Sequence, residues 1–173
     1  KTPLLAINPH ARYVIEWTRD QLDEKHLEFL RQMPDVIDAK EFTVTHASNC
    51  RAPRWGYVLN ENSAKTNFTH QNRRICFNGH THIPMIFSED PLGNIEINDF
   101  TDQKLNPELR YLINVGSVGQ PRDKEPKTAT VTFDTETLEV KMFRLDYDMT
   151  KVQRAMFNSK FPARLIARLE EGR

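Results

Sequence analysis

Apolar positions recur first at helical spacing, then alternate, then run together, and return to helical spacing at the end of the chain. Asn8-Pro9 is a helix start, with Asn as N-cap and Pro at the first helical position. Tyr13, Val14 and Trp17 follow at the spacing of one face, which predicts a helix from about Pro9 to Leu22. Asp23 caps a second helix carrying Leu27, Leu30 and Met33, and Pro34 stops it. The segment EFTVTHAS sets Phe42 and Val44 against Thr43 and Thr45, a strand pattern that ends at His46. ENSAKTNFTH is a short, weakly signalled helix, and Ile75 to Asn78 is a buried strand. Met85 to Ser88 and Ile95 to Ile97 flank the turn EDPLGN. RYLINVGSVG is a further buried strand running into a Gly- and Ser-rich turn. TATVTFDTETLEVKMF reads as a hairpin around Asp134 to Thr137. Along its second arm the apolar set shifts from Leu138, Val140 and Met142 to Phe143, Leu145 and Tyr147, which suggests a bulge. Two amphipathic helices follow, one with Val152 and Met156, the other with Leu165, Ile166 and Leu169 after Pro162. This order predicts an α/β layered domain with a mixed sheet or two packed sheets.

Chemistry collects where these strands end. ICFNGHTHIP places Gly79 after an apolar run, then His80 and His82. Were the chain extended there, residues two apart would share a face and the two imidazoles would stand side by side. That arrangement suits metal chelation, and it equally suits two solvated histidines. His46 ends another strand, and neutral imidazole is the commonest transition-metal ligand.

Composition narrows the classes. A chain of 173 residues can bury a proper core, so one domain is the expectation. Lys plus Arg equals Asp plus Glu, 24 each, so no overall basic field draws in nucleic acid. Cys50 and Cys76 are too few for a disulfide framework and read as reduced thiols of a cytoplasmic protein. No transmembrane-length apolar run and no signal-peptide pattern occur. The opening Lys1-Thr2-Pro3 has no initiator Met, and the chain is expected to be a piece of a longer one.

VTHASNCRAPRWGYVL, CFNGHTHIP and YLINVGSVGQPRDKEP, in this order and spacing, resemble the C-terminal part of calcineurin-like metallophosphoesterases. They are most similar to the small bacterial and archaeal phosphodiesterase-type members. The resemblance extends through FDTETLEVKMFRLDYD to the closing ARLEEGR. It implies a four-layer αββα sandwich, with residues 1–173 forming the C-terminal portion of one domain. It further implies two divalent metal ions (Mn, Fe, Zn, Co or Ni) sharing a bridging hydroxide that attacks a phosphate-ester substrate, phosphodiester or phosphomonoester. By position, His46 and His80 resemble ligands of one ion and His82 a ligand of the other. The family's D-x-H, G-D-x-x-D and G-N-H-D/E motifs are absent from this sequence. The resemblance therefore places the aspartates, the asparagine ligand and the leaving-group histidine upstream of Lys1. On that basis the isolated chain is expected to be inactive and to need the N-terminal part of the domain as its partner. The alternative is a non-catalytic scaffold of the same fold that serves protein–protein interaction.

Other residues carry lesser expectations. Arg51 and Arg54 follow His46 and are candidates for holding substrate phosphate in the bidentate manner of guanidinium, or are solvated loop arginines. Arg122 and Asp123 are expected to pair locally. Asn114 to Gly119 reads as backbone architecture, Cys76 as core, and His10, His26 and His70 as surface. Cys50, without a partner at C-x-x-C spacing, is a weak zinc candidate. Nucleic acid beyond a nucleotide substrate is not expected.

Overall fold

The computed structural model describes residues 8–50 and 55–173. Helices α1 (Pro9–Gln21) and α2 (Glu24–Gln32) lead into strands β1 (Val36–Asp38) and β2 (Phe42–Thr45). Helix α3 (Glu61–Thr69) precedes β3 (Ile75–Asn78), β4 (Met85–Glu89), β5 (Ile95–Asp99), β6 (Gln103–Lys104) and β7 (Arg110–Asn114). The hairpin β8 (Thr128–Phe133) and β9 (Glu139–Leu145) is followed by α4 (Met149–Asn158) and α5 (Ala163–Glu171). The caps are those the sequence announces: the Asn8 side chain accepts from the His10 N–H and the Asp23 side chain from the His26 N–H. Strands β1 and β6 had no sequence signal, because two or three residues show no period.

Six strands form a mixed sheet in the order β1-β2-β3-β7-β4-β5. Its centre, β2, β3 and β7, is parallel, and β1, β4 and β5 run antiparallel to their neighbours. A smaller antiparallel sheet has the order β6-β9-β8. Alternation along the central strands sorts their side chains onto two faces. Ile75, Phe77, Tyr111 and Ile113 point toward the small sheet and pack with Val140 and Leu105. Cys76, Leu112 and Phe87 point the other way and pack under Val58, Ala64 and Phe68 of the α3 segment. Burial pushes the Cys76 thiol up to about 12, so it stays protonated and serves as core.

Three layers are therefore described: α3, the large sheet and the small sheet. The resemblance implied a fourth, helical layer. On the small sheet's outer face Phe143 is 45% exposed and Leu145 53%. The expected bulge is absent. Register runs unbroken from Thr128 opposite Leu145 to Phe133 opposite Val140. Val140 and Met142 point inward while Phe143 and Leu145 point outward, so the apparent slip is a strand with apolar residues on both faces. At the other end of the chain, Phe161, between α4 and α5, packs edge-on against Trp17 and Tyr13 of α1.

Candidate metal centre

Because β2, β3 and β7 are parallel, their C-terminal ends lie along one edge of the sheet, where sites of α/β folds gather. His46 follows β2 and His80 follows β3. The Gly79 N–H donates to the His46 carbonyl at 3.1 Å, which ties the two strand ends together. The histidine segment is not extended. His80 has φ 68° and His82 φ 64°, left-handed values that histidine tolerates better than most residues. The Thr81 N–H donates back to the Gly79 carbonyl at 2.8 Å, closing a tight turn around His80.

Asn114 holds that turn from the neighbouring strand. Its amide donates to the Gly79 carbonyl at 2.6 Å and to Thr81 Oγ1 at 2.9 Å, and its Oδ1 accepts from the Gly116 N–H at 3.0 Å. Gly116 has φ 78°, and a Cβ there would sit 2.9 Å from Ala129 Cβ and Pro84 Cγ. The segment from Asn114 to Gly119 thus contributes architecture.

The consequence of the turn is that His46 and His80 meet while His82 looks elsewhere. His46 Nε2 and His80 Nδ1 are 3.1 Å apart. Two nitrogens bonded to one ion at about 2.1 Å each stand roughly 3 to 3.4 Å apart, so this pair fits the edge of a coordination polyhedron. His82 Nδ1 lies 2.6 Å from the Gln120 carbonyl and must donate to it, which leaves Nε2 as the ring's free lone pair. Burial is the first cause holding both His80 and His82 below the ordinary imidazole value. The neighbouring His46 and the Arg122 guanidinium act on both in the same direction. Neutral rings are the form that binds a metal. Among the described residues no group of three His, Cys, Asp or Glu side chains converges on one point. The pair therefore supplies part of a ligand set, with no carboxylate to balance charge.

Aromatic rings surround the pair. Tyr57 stacks on His80 with centroids 4.3 Å apart and planes 20° apart. Trp55 stands edge-on to His46 at 5.3 Å and to His80 at 6.3 Å. His46, His80 and His82 line an open cleft of about 1750 Å³ that runs between the sheets past Val44, Val131 and Phe133.

Several expectations change here. Asp123 pairs with Arg144 rather than with Arg122. A guanidinium on β9 reaches the carboxylate, while Arg122 turns its Nη2 to Gln120 Oε1 at 2.9 Å. Arg122 Nε is buried with no partner among the described residues, and the Arg122 backbone N–H donates to the His82 carbonyl. Arg122 is the nearby cation that sequence reasoning missed, since an adjacent Asp suggested a local pair. Cys50 Sγ contacts the Thr66 carbonyl and lies 3.5 Å from His70 Nδ1, one thiol and one imidazole. His10, His26 and His70 are at the surface. Arg51 and Arg54 lie outside the described residues.

A family described as the calcineurin-like phosphoesterase superfamily domain matches residues 15–137. The chain belongs to that superfamily. An uncharacterised protein of Methanocaldococcus jannaschii is 30% identical over the whole of this chain and 70% of its own length. A metallophosphoesterase crystal structure from Sphaerobacter thermophilus superposes with a TM-score of 0.85 at 36% identity, over 96% of this chain and 69% of that one. A hypothetical protein from Pyrococcus horikoshii shares the fold, with a TM-score of 0.75 at 19% identity over 97% of this chain and 62% of its own. No described helix is long and apolar enough to cross a membrane.

Proposed function

We propose that this polypeptide is a metal-dependent phosphoesterase, cleaving a phosphodiester or phosphomonoester, whose centre takes two divalent ions. The observation that carries the reading is the 3.1 Å approach of His46 Nε2 to His80 Nδ1 at the mouth of the interlayer cleft. These two nitrogens would hold one ion. His82 Nε2, freed by the bond of Nδ1 to Gln120, would serve the other. When bound, such a pair of ions supplies a hydroxide nucleophile near neutral pH and stabilises charge on the attacking and leaving oxygens. The chain's own contribution is to keep the His80 and His82 rings neutral and to orient the imidazoles. Asn114 fixes the His80 turn, the Gln120 carbonyl fixes the His82 tautomer, and Tyr57 limits rotation of the His80 ring. Arg122 adds a cation beside the rings, and Arg51 and Arg54 are further candidates for the substrate's phosphate.

Three imidazoles alone leave two divalent charges unbalanced. We infer that the remaining ligands, carboxylates among them, come from an N-terminal part of the same domain, and that this 173-residue chain by itself binds metal weakly and is inactive. The presence of all three histidines weighs against a non-catalytic scaffold. Elemental analysis of the intact polypeptide, with His46→Ala and His80→Ala variants, tests the centre. The expected result is about two divalent ions per chain in the parent and loss of bound metal together with phosphodiesterase activity in each variant. Unchanged metal content would sink the reading, and robust turnover by the 173-residue chain would sink the inference about its missing ligands.

A further inference from the structure

Arginines without acidic partners gather where helix α5 meets the loop after Gln120. Arg164 and Arg168 stand one turn apart on the same face of α5. The C-terminal end of that helix is locked to the loop. The Lys124 N–H donates to the Gly172 carbonyl at 2.9 Å, and a Cβ on Gly172 would sit 2.8 Å from the Glu125 nitrogen. Arg122 precedes Lys124 in this loop, so the segment that carries Arg122 and the helix that carries Arg168 are fastened together.

Among the described residues, Arg122, Arg164 and Arg168 form no ion pair, and the acids near them in sequence are engaged elsewhere. Asp123 pairs with Arg144, Glu171 with Arg173, and Glu170 accepts from the Gln153 amide. Arg122 Nε is buried with no acceptor among the described residues. Arg168 is half-buried, and its Nε donates to the Arg173 carbonyl. Burial first, then the Arg122 and Arg164 guanidinia, hold Arg168 below the ordinary arginine value, so these cations feel one another. Like charges gathered in a partly desolvated place are costly unless an anion sits among them.

We propose that Arg122, Arg164 and Arg168 form a binding site for a phosphate group, separate from the metal centre. Guanidinium forks match phosphate oxygens in the bidentate manner, and a tetrahedral oxyanion has oxygens enough to accept from several of them. The Arg122 backbone N–H donates to the His82 carbonyl at 3.2 Å, so the site borders the metal centre without sharing a ligand with it. This inference goes beyond the phosphoesterase reading and stands or falls without metal.

The test is calorimetric titration of the intact polypeptide, stripped of metal by a chelator, with inorganic phosphate and with glycerol phosphate. Saturable binding is expected. Arg164 is exposed, so Arg164→Gln leaves the fold intact. That substitution should weaken phosphate about ten-fold, the range of one charge-assisted hydrogen bond, and Arg168→Gln should do the same. Arg164→Lys should restore only part of the loss, since an ammonium keeps the charge without the fork. His80→Ala should stay within about two-fold of the parent, because the metal centre is a different site. Binding of inorganic phosphate alone identifies the free anion as the ligand, and binding of both probes identifies a phosphate group carried on a larger molecule. No saturable binding of either probe would overturn the site, as it would if a carboxylate from the rest of the polypeptide already filled it. Affinity unchanged in both arginine variants would overturn it too, and so would a large loss in His80→Ala.

Discussion

The two faces of the large sheet are built to different ends. Toward α3, Cys76, Leu112 and Phe87 are all sealed at 0% exposure, and Ala64 and Phe68 close over them. Toward the small sheet, Phe42, Val44, Val131 and Phe133 are only partly buried, and they line the cleft that ends at His46 and His80. The first face is packed against α3. The second is open beside the histidine pair. Packing on one side and space on the other let β2 and β3 both hold the domain together and present histidines at their ends.

That contrast is sharpest in mutation. Leu112→Ala should cost about 2 to 5 kcal/mol, because the sealed face cannot relax into the void. Val131→Ala, on the open face, should cost about 1 kcal/mol or less, because its wall already borders space. Urea unfolding measures both. Comparable losses would mean that the cleft is as tightly held as the core.

Asn114→Ala comes next. Asn114 is 1% exposed, and its loss removes one hydrogen bond each from the Gly79 carbonyl, Thr81 Oγ1 and the Gly116 N–H. A cost of about 1 to 3 kcal/mol is expected. Metal affinity of the intact polypeptide should also fall, by about ten-fold or more, as the turn around His80 loosens. Destabilisation with metal affinity untouched would show that the turn does not depend on Asn114 for its shape.

The smallest effect is that of pH on the metal-free protein. His80 and His82 sit below the ordinary imidazole value when folded. The unfolded chain therefore takes up protons first as pH falls, near 6.5 and downward. Stability should rise with pH across the window between the lowered folded values and about 6.5, and be lost on acidification through it. Thermal midpoints between about pH 5 and pH 7.5 record the slope, and the combined His80→Gln, His82→Gln variant should flatten it. An unchanged slope would place the titration elsewhere.

The residues predict these features unequally. Periods of 3.6 and 2 are local properties, so α1, α2, β2, β3, β7 and the β8–β9 hairpin were legible, as were the caps at Asn8 and Asp23. The motifs around His46 and Gly79 to His82 were legible too, because metal-ligating residue types at strand ends are carried in the chain itself. Three departures share one cause. His80 and His82 would have stood side by side only on an extended chain, Arg122 was expected to pair with Asp123, and the second arm of the hairpin was expected to bulge. In each case a partner distant in sequence decided the outcome.

What the sequence determined by itself is therefore the longer elements, their order, and the superfamily to which they belong. What only the tertiary structure decided is which side chains meet. Asn114, on a neighbouring strand, holds His80 in a left-handed turn that brings it onto His46 and sends His82 to the Gln120 carbonyl. The β9 residue Arg144 takes the carboxylate of Asp123 and leaves Arg122 beside the histidines. Backbone period is set within a few residues, whereas a side chain's partner is set by whichever group the packed sheet delivers to it.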